Sequence, residues 1–115
     1  MEKQLQATTS DRLLQLSEHA LRLKEKIVNK TALVSVIGLG YVGLPLAVEK
    51  AKVGFKVLGI EQNPVRAEKI NRGENYIGDV NDAEFFRLVQ EGKIKASTGF
   101  EWLSEADVIV ICVPT

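Results

Sequence analysis

Apolar residues recur at Leu13, Leu16, Ala20, Leu23 and Ile27, and the alternating spacings of three and four place them on one face of a helix. Ser10 is positioned to cap its start. Asp11 and Glu18 lie toward the beginning and Lys24, Lys26 and Lys30 toward the end, in keeping with the helix dipole. Such a helix either docks on the domain behind it or, with barely two heptads, makes a short coiled-coil or dimer contact. The pattern then changes. Ala32 to Ile37 is apolar and β-branched, as a buried strand would be, and a glycine cluster follows at once. Tyr41 to Lys52 reads as a helix, with Pro45 tolerated because the first turn has no internal N–H partners to lose. Gly54 ends it, and Phe55 to Ile60 form a second strand. Asn63-Pro64 opens the next helix, which stops at Gly73, and Asn81 with Glu84 has the form of a capping box for another, which stops at Gly92. Ile94 to Thr98 predicts a short strand, Phe100 to Glu105 a turn or short helix, and Val108 to Val113 a wholly apolar strand.

Apolar strands separated by helices predict an α/β fold, a Rossmann-like parallel sheet with helices on both faces. The expected sheet order is 3-2-1-4. The chain divides into an N-terminal amphipathic helix, residues 1–30, and one domain, residues 31–115. In that order the strand Val108 to Val113 is a bare edge of six successive apolar residues, which predicts a homo-oligomer or strand exchange through it.

Composition narrows the chemistry. Fifteen basic and fifteen acidic residues balance, so the basic surplus of a nucleic-acid binder is missing. The single cysteine, Cys112, excludes an internal disulfide. The single histidine, His19, is too distant in sequence to complete a structural zinc site with it, and no metal site is expected. Thr31 to Val48 carries no charge, but Gly38, Gly40, Gly43 and Pro45 interrupt it, which reads as turn chemistry rather than a membrane span. Met1 to Ser10 is polar and lacks the apolar core of a secretory signal, so a soluble cytoplasmic protein is expected.

Gly38-Leu39-Gly40-Tyr41-Val42-Gly43 is a G-x-G-x-x-G that follows an apolar strand and opens a helix. An acidic residue, Glu61, ends the next strand. In that setting Gly38 permits the tight turn, Gly40 leaves room for a pyrophosphate against the backbone, and Gly43 lets helix and strand pack closely. The uncapped N–H groups at the helix start, with its positive dipole end, would hold phosphate charge. Glu61 would accept hydrogen bonds from ribose hydroxyls and repel a 2′-phosphate, favouring NAD over NADP. Arg66 could pair with Glu61, touch the adenosine moiety or accept a 2′-phosphate; the first two are preferred.

The run Val36-Ile-Gly-Leu-Gly-Tyr-Val-Gly-Leu-Pro45, with Gly59-Ile60-Glu61, Arg66 and Val113-Pro114-Thr115, resembles the N-terminal NAD-binding domain of the UDP-glucose/GDP-mannose dehydrogenases. Gly73 to Val80 and Ser104 to Thr115 resemble most the UDP-N-acetylhexosamine 6-dehydrogenase branch. The likeness runs from about Leu33 to Thr115 and leaves out the first helix. It implies that the glycine loop, including Tyr41 and Val42, carries the cofactor phosphates, that Glu61 meets the ribose and Arg66 the adenosine end, and that Thr115 approaches the dinucleotide. It further implies oxidation of a UDP-sugar's C6 alcohol to the carboxylate, with two hydride transfers to NAD through a covalent adduct on a cysteine. That nucleophile, its lysine and asparagine helpers and the sugar-nucleotide domain lie downstream in the family. The chain is therefore expected to be an N-terminal portion, inactive by itself and without a catalytic residue of its own. Cys112, in an apolar strand, is expected to pack as a small hydrophobe, and His19 to lie on the surface. Two other readings stay open: another NAD(P)-linked hydroxy-acid or hydroxyacyl dehydrogenase, and a non-enzymatic dinucleotide-sensing regulatory domain.

Overall fold

The computed structural model describes residues 2–113. A long helix, α1 (Glu2–Val28), precedes β1 (Leu33–Ile37), α2 (Gly43–Lys52), β2 (Lys56–Ile60), α3 (Pro64–Asn71), α4 (Asp82–Gln90), β3 (Ile94–Ser97), a 3-10 turn at Leu103–Glu105, and β4 (Val108–Ile111). Helices and strands fall where the pattern places them, with ends that coincide or differ by at most three residues, α1 apart. The four strands form one parallel sheet in the order β3-β2-β1-β4, the order predicted.

Register explains the core. Val34, Val57 and Ile94 lie side by side, as do Val36, Gly59 and Ala96 one step on. This face meets Leu44, Ala47, Val48 and Ala51 of α2, Ala67 and Ile70 of α3, and Phe85 and Leu88 of α4. The α-helices of the domain thus gather on one face, where the pattern predicts them on both. Progress from β1 through β2 to β3 runs in one direction and the return to β4 runs back, so right-handed crossovers send the β3–β4 connection past the other face. There it supplies only the short 3-10 turn. On that second face Ser35 is buried, its hydroxyl donating to the Leu58 carbonyl at 3.0 Å, whereas Ile109 and Ile111 of β4 stay exposed.

The helix starts are built as the sequence suggests, with one exception. Asn63 Oδ1 accepts from the N–H groups of Val65 and Arg66 at 3.0 and 3.3 Å, and Pro64 occupies the first helical position. Asn81 Oδ1 accepts from Glu84 N–H at 2.9 Å, which is half of a capping box. The reciprocal half is not made: the Glu84 carboxylate lies 3.3 Å from Lys52 Nζ, joining α4 to α2. The outer edge of β3 is also closed. Asn71, at the end of α3, receives the Ala96 N–H at 2.8 Å and donates to the Ala96 carbonyl at 2.9 Å, standing in for a missing neighbour strand.

Two expectations for the first helix change. It begins at Glu2, not after Ser10, because the residues before Ser10 include several good helix formers that let it run on. Nor do its described side chains dock: all are exposed, Ala20, Leu23 and Ile27 of the predicted face among them. The helix-bearing face of the sheet is already filled by α2, α3 and α4. What ties α1 down is its last turn, where Lys26 Nζ meets Asp107 Oδ1 at 2.9 Å while Asp107 Oδ2 accepts the Leu33 N–H at 2.9 Å. The molecule is accordingly elongated, 61 × 28 × 23 Å. Among the described residues no helix is long and apolar enough to cross a membrane.

The Leu33 N–H, and secondly the Lys26 ammonium, hold the Asp107 carboxyl below its usual range. An acid whose folded pKa is depressed stabilises the fold above its unfolded value, and that contribution is lost as the pH falls through the folded value. Asp107→Asn is therefore expected to lower the urea unfolding midpoint at neutral pH. The effect should be below about 1 kcal/mol, because the pair is partly exposed. The gap between the two chains should close as the pH drops below about 4. A gap that persists undiminished at low pH would assign it to something other than the charge.

Candidate functional site

In a parallel sheet all strands deliver their carboxyl ends to one side, and the turns that leave them bound a crevice of about 1120 Å³. One wall is the turn between β1 and α2, the other the segment from Glu61 to Arg66. Tyr76 and Ile77 close one end and Ile111 to Val113 the other.

The glycine turn is held by its surroundings. Gly38 donates its N–H to the Ile60 carbonyl at 2.8 Å and has φ of +90°, and a Cβ there would fall 2.0 Å from the Cys112 carbonyl oxygen. A Cβ on Gly43 would fall 1.7 Å from the Gly38 carbonyl oxygen, so α2 starts directly against the turn. Gly40 is different. A Cβ there would meet nothing within 4 Å, so its backbone borders open space.

The start of α2 has no side-chain cap and no acidic residue in its first turn. The N–H groups of Leu44 and Leu46 close onto the carbonyls of Gly40 and Val42 at 3.1 and 3.2 Å. Those of Tyr41, Val42 and Gly43 have no hydrogen-bond partner among the described residues. Free N–H groups at the positive end of a helix dipole are suited to receive an anion. The side chains of Tyr41 and Val42 are exposed at its rim.

Across the crevice, Glu61 is 8% exposed, a low value for a carboxylate. Its burial is balanced by hydrogen bonds. Oε2 accepts from Asn63 N–H at 3.2 Å and Oε1 from Arg66 Nη1 at 3.4 Å. Its own N–H donates to the Ser97 carbonyl at 2.9 Å, which fixes the residue at the tip of β2. Arg66 stands in the first turn of α3, so the cap at Asn63 places both members of the pair. Its guanidinium also lies over the Tyr76 ring, 5.1 Å from the centroid.

The crevice thus brings together Gly38, Gly40, Tyr41, Val42, Gly43, Glu61 and Arg66. Thr115 lies outside the described residues. Cys112 is half-buried and packs against the core, its carbonyl oxygen close against Gly38; His19 is exposed on α1 and does not line the crevice. Among the lining residues not singled out from the sequence are Lys69 and Tyr76. Lys69 follows Arg66 by three positions on the same helix, a spacing that puts them on one face and could have revealed it. Tyr76 carries no such local signal. Unpartnered amides, an open backbone at Gly40 and a fixed carboxylate across one crevice fit a dinucleotide, phosphates on one side and ribose on the other.

Comparison with known proteins agrees. Residues 32–115 match the UDP-glucose/GDP-mannose dehydrogenase family, NAD binding domain, a match that leaves out α1. The UDP-N-acetyl-D-mannosamine dehydrogenase of Methanococcus aeolicus is 37% identical over 93 residues, covering 80% of this chain and 20% of that protein. Its counterpart in Escherichia coli K12 is 41% identical over 85 residues, covering 73% and 20%. Among solved structures, GDP-mannose dehydrogenase from Pseudomonas aeruginosa, a ternary complex, aligns with a TM-score of 0.67 at 31% identity over 71% of this chain and 19% of its own. UDP-N-acetyl-mannosamine dehydrogenase from S. aureus aligns with a TM-score of 0.66 at 35% identity over 73% and 20%. The chain spans about a fifth of the length of the curated relatives it matches. With its sheet order, glycine turn and carboxylate in place, the chain belongs to the UDP-glucose/GDP-mannose dehydrogenase family, and residues 32–115 are its NAD-binding domain.

Proposed function

We propose that this domain holds NAD for a nucleotide-sugar 6-dehydrogenase whose substrate is a UDP-N-acetylhexosamine. The parent activity on this reading is oxidation of the sugar's C6 alcohol to the carboxylate with two NAD. The substrate class rests on the relatives, which act on UDP-N-acetyl-D-mannosamine by name. No residue of 1–115 is assigned a part in the chemical step. The chain's own residues bind and orient: the amides of Tyr41, Val42 and Gly43 receive the phosphates, Gly38 and Gly43 hold the turn, and Glu61 accepts from the ribose hydroxyls. Thr115 is assigned to the same cofactor by its place after β4. NAD, when bound, supplies the hydride acceptor.

The observation that carries this reading is the Glu61 carboxylate, fixed at the tip of β2 and facing the crevice bounded by the free amides. A carboxylate there accepts from a 2′-hydroxyl and repels a 2′-phosphate. Removing it would also free Arg66, which is 43% exposed at its side chain, to meet that phosphate. Calorimetric titration should therefore show NAD binding more tightly than NADP. Glu61→Ala should lower the NAD-to-NADP preference by about tenfold or more, since hydrogen bonds to a charged group contribute roughly 1.5–3 kcal/mol. Equal affinity for the two, unchanged by the substitution, would remove Glu61 from the ribose.

Assembly belongs to the same proposal. β4 is an edge strand whose exposed face carries Ile109 and Ile111, and we assign it the contact of a homo-oligomer.

A further inference from the structure

The segment between α3 and α4 closes one end of the crevice with Tyr76 and Ile77, and it is tied internally. Asn75 Nδ2 donates to the Val80 carbonyl at 2.6 Å and to Asp82 Oδ1 at 2.8 Å, while Asn75 Oδ1 accepts the Ile77 N–H at 2.9 Å. Between these ties stands Tyr76, which packs against the core and makes two contacts of different kinds. Its hydroxyl donates to the carbonyl of Leu39, the residue between the first two glycines of the turn. Its ring lies under the Arg66 guanidinium, which on its other side reaches Glu61.

We propose that Tyr76 is a positioning residue for cofactor recognition, locking the glycine turn through the Leu39 carbonyl and the selectivity pair through Arg66. This rests on the assignment of NAD to the crevice. In a trans peptide the carbonyl of Leu39 and the N–H of Gly40 point in opposite directions, so a partner that holds the one sets the other. Leu39 is pinned at both ends. Its side chain is fully buried beneath Gly59, where a Cβ would fall 2.4 Å from Leu39 Cδ1, and its carbonyl is held by Tyr76. A flip of that peptide would turn a carbonyl oxygen to where Gly40 N–H now points, onto a border meant for anionic phosphates. The second contact acts on a different property. A guanidinium placed between an aromatic face and a carboxylate keeps Arg66 on Glu61 and away from a 2′-phosphate. Burial, with Glu61 adding to it against the opposing pull of Arg66, pushes the phenol pKa up to about 12. The hydroxyl therefore stays a donor throughout the physiological range.

The two contacts separate by substitution. Tyr76→Phe removes the hydroxyl and keeps the ring; Tyr76→Leu removes both. Calorimetric titration of NAD and NADP against the 115-residue chain should show Tyr76→Phe weakening both about three- to tenfold with their ratio unchanged. Tyr76→Leu should weaken NAD at least as much and also lower the NAD-to-NADP ratio by a further threefold or more. A purely structural role would move affinity and thermal stability together and leave that ratio alone, so an unchanged ratio in a folded Tyr76→Leu chain overturns the selectivity role. Should that chain fail to fold, Tyr76→Phe, which retains the packing, decides: wild-type affinity for NAD overturns the inference. An unsubstituted chain that binds neither dinucleotide overturns the NAD assignment and this inference with it, whereas normal binding by all three overturns the inference alone.

Discussion

Gly43→Ala should abolish NAD binding and lower the unfolding free energy by about 3 kcal/mol, the upper part of the usual range for overpacking. The reason is contact with backbone, not with a side chain that could swing aside. The added Cβ would stand 1.7 Å from the Gly38 carbonyl oxygen and 2.8 Å from its carbon, so α2 would have to lift off the turn that it starts from. Cys112 crowds the same position, its Cβ 3.4 Å from the added methyl. Gly40→Ala makes the informative contrast. Nothing in the protein lies within 4 Å of its Cβ, so the chain should fold with its urea midpoint nearly unchanged. Yet the added methyl would stand in the space assigned to the pyrophosphate, and NAD affinity should fall tenfold or more. Titration and urea unfolding of the two variants side by side separate a glycine needed by the fold from one needed by the ligand. Normal NAD affinity in Gly40→Ala would place the phosphates elsewhere.

The second large effect concerns association. The 115-residue chain has a mass of 12.7 kDa, and light scattering is expected to show a dimer or larger species as its concentration is raised from micromolar toward millimolar. The two edges of the sheet are treated differently. At β3 the Asn71 side chain occupies both outward backbone groups of Ala96, so that edge offers no template. At β4 no described residue does the same. Its exposed side chains, Ile109 at 47% and Ile111 at 66%, adjoin Val113 at 65%, and no lysine, proline or bulge interrupts Val108–Ile111. A second copy laid antiparallel along it would continue the sheet and set its own side chains beside those. The double substitution of Ile109 and Ile111 by Lys puts like charges face to face in such a pair while leaving the buried positions alone. It should return the chain to its monomer mass. A monomer at every concentration in the unsubstituted chain would remove β4 as the contact.

Most strands and helix ends were legible because their signals are local. Asn63 caps the two N–H groups that follow it, Gly54, Gly73 and Gly92 all take the positive φ that a helix stop exploits, and the β-branched runs form the strands. The capping box at Asn81 was legible only by half, because whether Glu84 turns back to its own helix depends on what lies opposite it, and Lys52 does. The first helix was misplaced at its start and in its packing. Its leucine spacing shows a face but not whether any surface is left to receive it.

The glycine turn and Glu61 could be read from the chain because a strand, a tight turn and a helix of fixed rise leave little choice in where the next strand's tip will stand. Sequence by itself determined the order of the elements, the parallel sheet and the glycine turn and carboxylate that line its crevice. Tertiary structure alone decided that Tyr76 reaches Leu39, 37 positions away, that Asn71 closes one sheet edge while the other stays open, and that the described side chains of α1 stay exposed, its last turn tied to Asp107. Those contacts depend on how loops of variable path are brought together by burial, a long-range outcome that no short-range spacing encodes.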